Sequence, residues 1–213
     1  PFGARTLIIP GGVSGGHVTT LRIDLLDTEP AIWRQVEVPT SMTLTVLHDV
    51  VQAAMGWCDQ HLWELRQGKQ RYGQPISGDD WGGSPTLKAD KVRLREILKP
   101  RKTALDYTYD FGDSWEHWLT LTDVRPGDPD GEYPRYIAGE RAAPPEDCGG
   151  IPGFYGALEV LDDPKHPDHA DINDWFDGFD PDAIDEQVLK IALSRIARRR
   201  NSAKAIFARK ARS

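Results

Sequence analysis

From Leu105 to Leu121 large side chains fall on every second residue, and the run is interrupted once, at Gly112-Asp113. Leu105, Tyr107, Tyr109 and Phe111 lie on the first arm; Trp115, His117, Leu119 and Leu121 lie on the second. Strict alternation with turn formers at its centre predicts a β-hairpin with one buried face. A two-residue loop would pair Asp110 with Trp115 and split the apolar residues between both faces. A three-residue loop, Gly112-Asp113-Ser114, pairs Phe111 with Trp115, Tyr109 with His117 and Tyr107 with Leu119. That register gathers every large side chain on one face, and burial specifies register strongly. It also sets Asp110 opposite Glu116 on the other face, with Asp113 at the tip. Facing carboxylates repel unless a cation, a base or a shared proton lies between them.

The remaining segments are placed by the same reading. Leu21, Ile23 and Leu25 alternate with Arg22 and Asp24, and Ile32 to Val38 follows a Glu29-Pro30 turn signal, so a first hairpin is expected. Leu44, Leu47, Val50, Val51 and Ala54 recur at helical spacing behind candidate caps Thr40, Ser41 and Thr43, with Gly56 as the stop. This gives a helix over 43–55. A further strand is expected over 61–65 and a short helix over 92–98. Residues 67–91, with five glycines, two prolines and Trp81, and residues 125–153 read as long irregular segments open to binding. Helices follow over 154–161 and 167–176, and a last one starts behind Asp180-Pro181.

These elements imply an α+β fold: a mixed, largely antiparallel sheet of five or six strands, a helix packed after the first hairpin, and a C-terminal helical section. The chain of 213 residues divides into a lead-in over 1–17, a domain over 18–190 and a basic helical tail over 191–213. Charge separates the last two. Residues 162–186 carry ten acids against Lys165 alone, whereas residues 187–213 carry nine Lys or Arg and no acid. No apolar run approaches a membrane span or a secretory leader, so a cytoplasmic protein without membrane contact is expected. Two cysteines, Cys58 and Cys148, are too few for a disulfide framework or an all-thiolate zinc site.

Five stretches occur in a fixed order: AIWRQVEVP, LHDVVQAAMGWCDQHLWEL, YDFGDSWEHWLTL, APPEDCGGIPGF and DWFDGFDPDAID. Together they resemble the plasmid pRiA4b ORF-3-like family over residues 18–190. The resemblance implies an α+β domain met in plasmid, transposon and chromosomal settings, one relative being an insertion-element TnpR passenger protein named as a resolvase. It implies a fold and a genetic neighbourhood, not a reaction. Relatives carry further cysteines near the positions of Tyr136 and Ala143. Their absence here implies that no cysteine-built zinc site is shared.

Four groups carry candidate chemistry. Asp110, Asp113, Glu116 and His117 offer carboxylates and an imidazole that suit a divalent metal able to activate water; the same residues also suit a capped turn over an aromatic core. Glu146, Asp147 and Cys148 precede Gly149-Gly150, where a nucleophilic thiolate needs a nearby base; a packed loop is the structural alternative. His166, Asp168, His169, Asp171 and Asp174 have the spacing of a helical metal pair, and equally that of acids at a helix start. Arg195, Arg198, Arg199, Arg200 and Lys204 suit phosphate contacts or a solvated helix end.

The expected function is a non-catalytic binding or accessory module that engages a protein or a nucleic acid. One alternative is a metal-dependent phosphoester hydrolase centred on the hairpin. Another is a structural domain that binds a basic partner through residues 162–186.

Overall fold

The structure is a computed structural model that describes residues 16–74, 85–99 and 101–210, with side chains to residue 203. Eight strands form one sheet: β1 (His17–Leu25), β2 (Ile32–Pro39), β3 (Trp63–Gln67), β4 (Gln70–Gly73), β5 (Leu87–Lys88), β6 (Lys102–Tyr109), β7 (Trp115–Pro126) and β8 (Arg135–Glu140). Their spatial order is β5-β4-β3-β6-β7-β1-β2-β8. Only β4 and β5 pair in parallel; the other neighbours are antiparallel. The α+β architecture is as the alternation implied. The strand count exceeds expectation because β4, β5 and β8 are short ladders inside the segments that read as irregular. Trp81 lies outside the described residues.

Helix α1 (Leu44–Met55) packs on one face of the sheet, with Leu44, Leu47, Val50, Val51 and Ala54 fully buried. Each buried Leu or Val among them contributes about 1.5–3 kcal/mol on transfer from water. The Thr43 hydroxyl accepts the Val46 N–H, and Gly56 closes the helix at φ 82° with its N–H on the Gln52 carbonyl. Buried Arg34 on β2 fastens this end. Its guanidinium donates to the carbonyls of Ala54, Trp33 and Glu140, joining α1, β2 and β8. Burial lowers its pKa to about 10, which leaves it charged at neutral pH.

Short α2 (Leu94–Ile97) follows β5. Helices α3 (Gly150–Asp162), α4 (His169–Phe176) and α5 (Glu186–Lys210) complete the chain. Helix α5 begins beyond Asp180-Pro181, because residues 181–182 form a turn and 183–185 are irregular. It packs against α1 and β8, and buries Leu189, Leu193, Ile196 and Ala197. The helix therefore runs unbroken through residue 190, and the first turns of the basic segment belong to the core. The opposite sheet face is left to polar and half-exposed residues, including Trp118 and an Arg22 guanidinium 4.1 Å above the Trp33 ring.

Candidate metal centre

Tyr109 pairs with Trp115, Tyr107 with His117 and Leu105 with Leu119. The hairpin register is thus displaced by two residues from the three-residue-loop expectation, which preserves the face but changes the tip. Tyr107, Tyr109, Trp115, His117 and Leu119 are buried together as burial demands. The loop instead has five residues, Asp110 to Ser114, closed by the Ser114 N–H on the Asp110 carbonyl at 2.6 Å. Asp110 and Ser114 both take left-handed backbone, at φ 55° and 54°. Phe111 is expelled from the strand and is 55% exposed.

This register separates the pair expected to face each other. Thr108, not Asp110, lies opposite Glu116, and Glu116 is exposed on the uncovered sheet face. His117 points the other way. It is 1% exposed, packed 5.3 Å from the Trp57 and Tyr107 rings, with Nδ1 donating to the Trp115 carbonyl. Burial holds its pKa down to about 4, so it is a neutral core side chain. The structure does not bring Glu116 or His117 to the acidic tip.

Asp110 turns instead toward His61 and Asp147. One Asp110 oxygen accepts the Gly112 N–H at 2.9 Å, which leaves Oδ2 for a second role. His61 Nε2 lies 3.7 Å from that oxygen and 3.0 Å from Asp147 Oδ1. The Asp110 contact is too long for a hydrogen bond and the Asp147 contact lacks the direction of one, so this buried nitrogen has no hydrogen-bond partner among the described residues. One ligand atom from each of the three residues lies within 4.8 Å of the others. Metal polyhedra with bonds of about 2.1 Å have edges of about 3.0–3.4 Å; the 3.0 Å His61–Asp147 edge fits, and the 3.7 Å His61–Asp110 edge must shorten to hold an ion. Three segments meet here: the approach to β3, the hairpin loop and the PPEDCGG loop. The Asp110 N–H ties the first two by donating to the Leu62 carbonyl at 2.9 Å.

The neighbouring acids are already occupied. Asp113 Oδ2 accepts the Gly149 N–H at 3.1 Å, supplying from the hairpin the cap that glycine cannot give to α3. Glu146 accepts the Tyr109 phenol at 2.5 Å and the Cys58 N–H at 2.7 Å. Burial and this carboxylate push the Tyr109 phenol well above its usual pKa, so it remains the donor. The Cys148 thiol is pushed up to about 12, first by burial and then by Asp113. It is a thiol at neutral pH, poorly suited to attack.

A cleft of about 530 Å³ opens beside the cluster and shares His61 with it. Its walls include Gln60, Leu62, Gln74, Thr86 and Phe111, together with a Glu64–Arg71 ion pair. Leu62, on this cleft, is 50% exposed.

The other candidates stay apart. His166 and Asp168 contact each other at 3.9 Å at the edge of α4, and no metal-sized group forms around them among the described residues. The ten acids of 162–186 are exposed, with Asp182 paired to Arg141 and Glu186 to Lys190. On α5, Arg199 binds Asp49 at 3.0 Å, while Arg200 donates to the Tyr133 carbonyl and Ser41 hydroxyl. Arg195 and Arg198 are exposed. The side chain of Lys204 lies outside the described residues. No helix among the described residues is long and apolar enough to cross a membrane.

His61 is the residue that the sequence reading passed over. It stands 49 residues from Asp110 and 86 from Asp147. Its only local signal is a polar DQH run before an apolar strand.

Comparison with known proteins gives consistent matches. Residues 17–188 match the family described as plasmid pRiA4b ORF-3-like protein. The uncharacterized protein y4hQ of Sinorhizobium fredii (strain NBRC 101917 / NGR234) is 36% identical over 167 residues, 78% of this chain and 84% of that protein. The crystal structure of MM3350, a protein of unknown function from Methanosarcina mazei Go1, is similar with a TM-score of 0.74 and 34% identity. The match covers 82% of this chain and 98% of that one.

Proposed function

The chain belongs to the plasmid pRiA4b ORF-3-like family, and for it we propose a binding module that holds a divalent cation through His61, Asp110 and Asp147. The observation that carries this reading is the convergence of the three ligand atoms around a buried imidazole nitrogen that makes no hydrogen bond. One imidazole and two carboxylates form a borderline donor set suited to Mn²⁺ or Zn²⁺. An ion here offsets two nearby negative charges and pins together three segments distant in sequence. Three protein ligands also leave coordination positions for water or a bound partner.

The test is calorimetric titration of the full chain with Mn²⁺ and Zn²⁺, beside Asp147→Asn and Asp110→Asn. Asparagine preserves shape and removes the charge. The expected result is one ion per chain, with binding weakened tenfold or more in either variant. Binding of neither ion by the natural chain defeats the reading.

A second reading, contact with nucleic acid through α5, is favoured by the exposed Arg195 and Arg198 on a helix otherwise anchored to the body. It does not compete with the first, since the two regions use different residues.

A further inference from the structure

Two of the three proposed metal ligands are followed in sequence by an exposed apolar side chain: Leu62 after His61, and Phe111 after Asp110. Both line the same cleft, held together by the Asp110 N–H on the Leu62 carbonyl. Lone exposed apolar residues are ordinary, but two flanking one concavity mark a place for a flat apolar body. Gln60 and Gln74 also line the cleft, and an amide side chain can both donate and accept, as the edge of a heterocycle requires. The buried Thr86 hydroxyl on its wall has no hydrogen-bond partner among the described residues, and neither has His61 Nε2. His61 Nε2 faces the cation site, and the Thr86 hydroxyl lies beneath the cleft surface, out of reach of a bound molecule.

Resting on the cation site proposed above, we infer that the cleft binds a nucleoside phosphate, with its phosphate on the open positions of the ion and its base against Leu62 and Phe111. Divalent ions held by one or two carboxylates commonly complete their shell with ligand phosphates. A volume of about 530 Å³ lies within the range of small-molecule sites. Glu64 is paired with Arg71 and the Asp59 carboxylate also lines the cleft, so the ion supplies the attraction for phosphate.

The experiment titrates the full chain with AMP, adenosine and inorganic phosphate, with and without saturating Mn²⁺, and repeats the AMP arm with Phe111→Ala. Phe111 is 55% exposed, so its truncation leaves the core intact. The expected result is AMP binding at least tenfold tighter with Mn²⁺ than without. AMP should also bind more tightly than phosphate, and Phe111→Ala should weaken AMP severalfold while Mn²⁺ affinity is unchanged. If Mn²⁺ binds but AMP does not, or AMP binds no better than phosphate, the inference is overturned and the cation reading stands. AMP affinity indifferent to Mn²⁺ or to Phe111→Ala overturns it too. Failure of Mn²⁺ to bind overturns the inference, and the cation reading falls with it only if Zn²⁺ fails to bind as well.

Discussion

The Tyr109 phenol and the Glu146 carboxylate meet at 2.5 Å across 37 residues of sequence, and this contact fastens the PPEDCGG loop to the end of β6. The same phenol oxygen accepts the Gln60 N–H at 2.9 Å, so one hydroxyl also positions the segment that carries His61. Tyr109→Phe keeps the ring and deletes both bonds. Urea unfolding should show a loss of about 1–2 kcal/mol, and the Gln60 amide should exchange faster. An unchanged unfolding midpoint would assign the loop's position to packing alone.

Helix α3 starts against the hairpin tip. Gly150 has φ +68°, and a Cβ there would stand 2.3 Å from the Asp113 carbonyl oxygen. Gly150→Ala should cost about 2 kcal/mol or more, because backbone must move and the left-handed conformation is strained as well. Asp113→Ala should cost about 1 kcal/mol through loss of the acceptor for Gly149. Chemical denaturation reads both. Equal stability of Gly150→Ala and the natural chain would contradict this docking.

Two buried histidines resist protonation in the folded state. Burial is the leading cause of the lowered pKa of His48, opposed by Asp59, and of His117, held down to about 4. Between its ordinary value of 6.5 and 4, an unfolded His117 binds a proton that the folded one refuses. Its contribution is thus complete above pH 6.5 and lost as pH falls toward 4. The slope is up to about 1.4 kcal/mol per pH unit for one such group. His117→Leu should flatten the stability profile in that window. A profile of the same steepness in the variant would show that other groups govern acid unfolding.

The fold was readable where local chemistry and burial agree. Thr43, Gly56 and the apolar spacing between them define α1, and the paired aromatic arms define the covered face of β6 and β7. The hairpin tip is not legible because its closure depends on left-handed Asp110 and Ser114: serine gives no signal for that backbone, and Asp110, which tolerates it, reads as one more polar residue of an alternating arm. Phe111 reads as the next residue of an alternating arm, yet the five-residue loop turns it outward. The short strands β4, β5 and β8 exist through neighbours that complete their ladders, within sequence that resembles loop. Asp110 and Asp147 stood among the candidates, but their link is His61. A nonlocal contact of that kind leaves no periodic trace.

For α5, duplex DNA retention at low salt should weaken as salt rises and should weaken further in Arg195→Ala/Arg198→Ala. Arg199→Ala should matter less for retention and more for stability, since that guanidinium already binds Asp49 at 3.0 Å. Retention unaffected by the double variant would remove the helix face from nucleic-acid contact.

The most direct test of the cation centre is pulsed electron paramagnetic resonance on the full chain loaded with one equivalent of Mn²⁺. Nitrogen coupling from a directly bound imidazole is expected in the natural protein and should disappear in His61→Gln. A bound ion with no nitrogen coupling, or coupling that survives His61→Gln, would contradict the centre assigned to His61, Asp110 and Asp147.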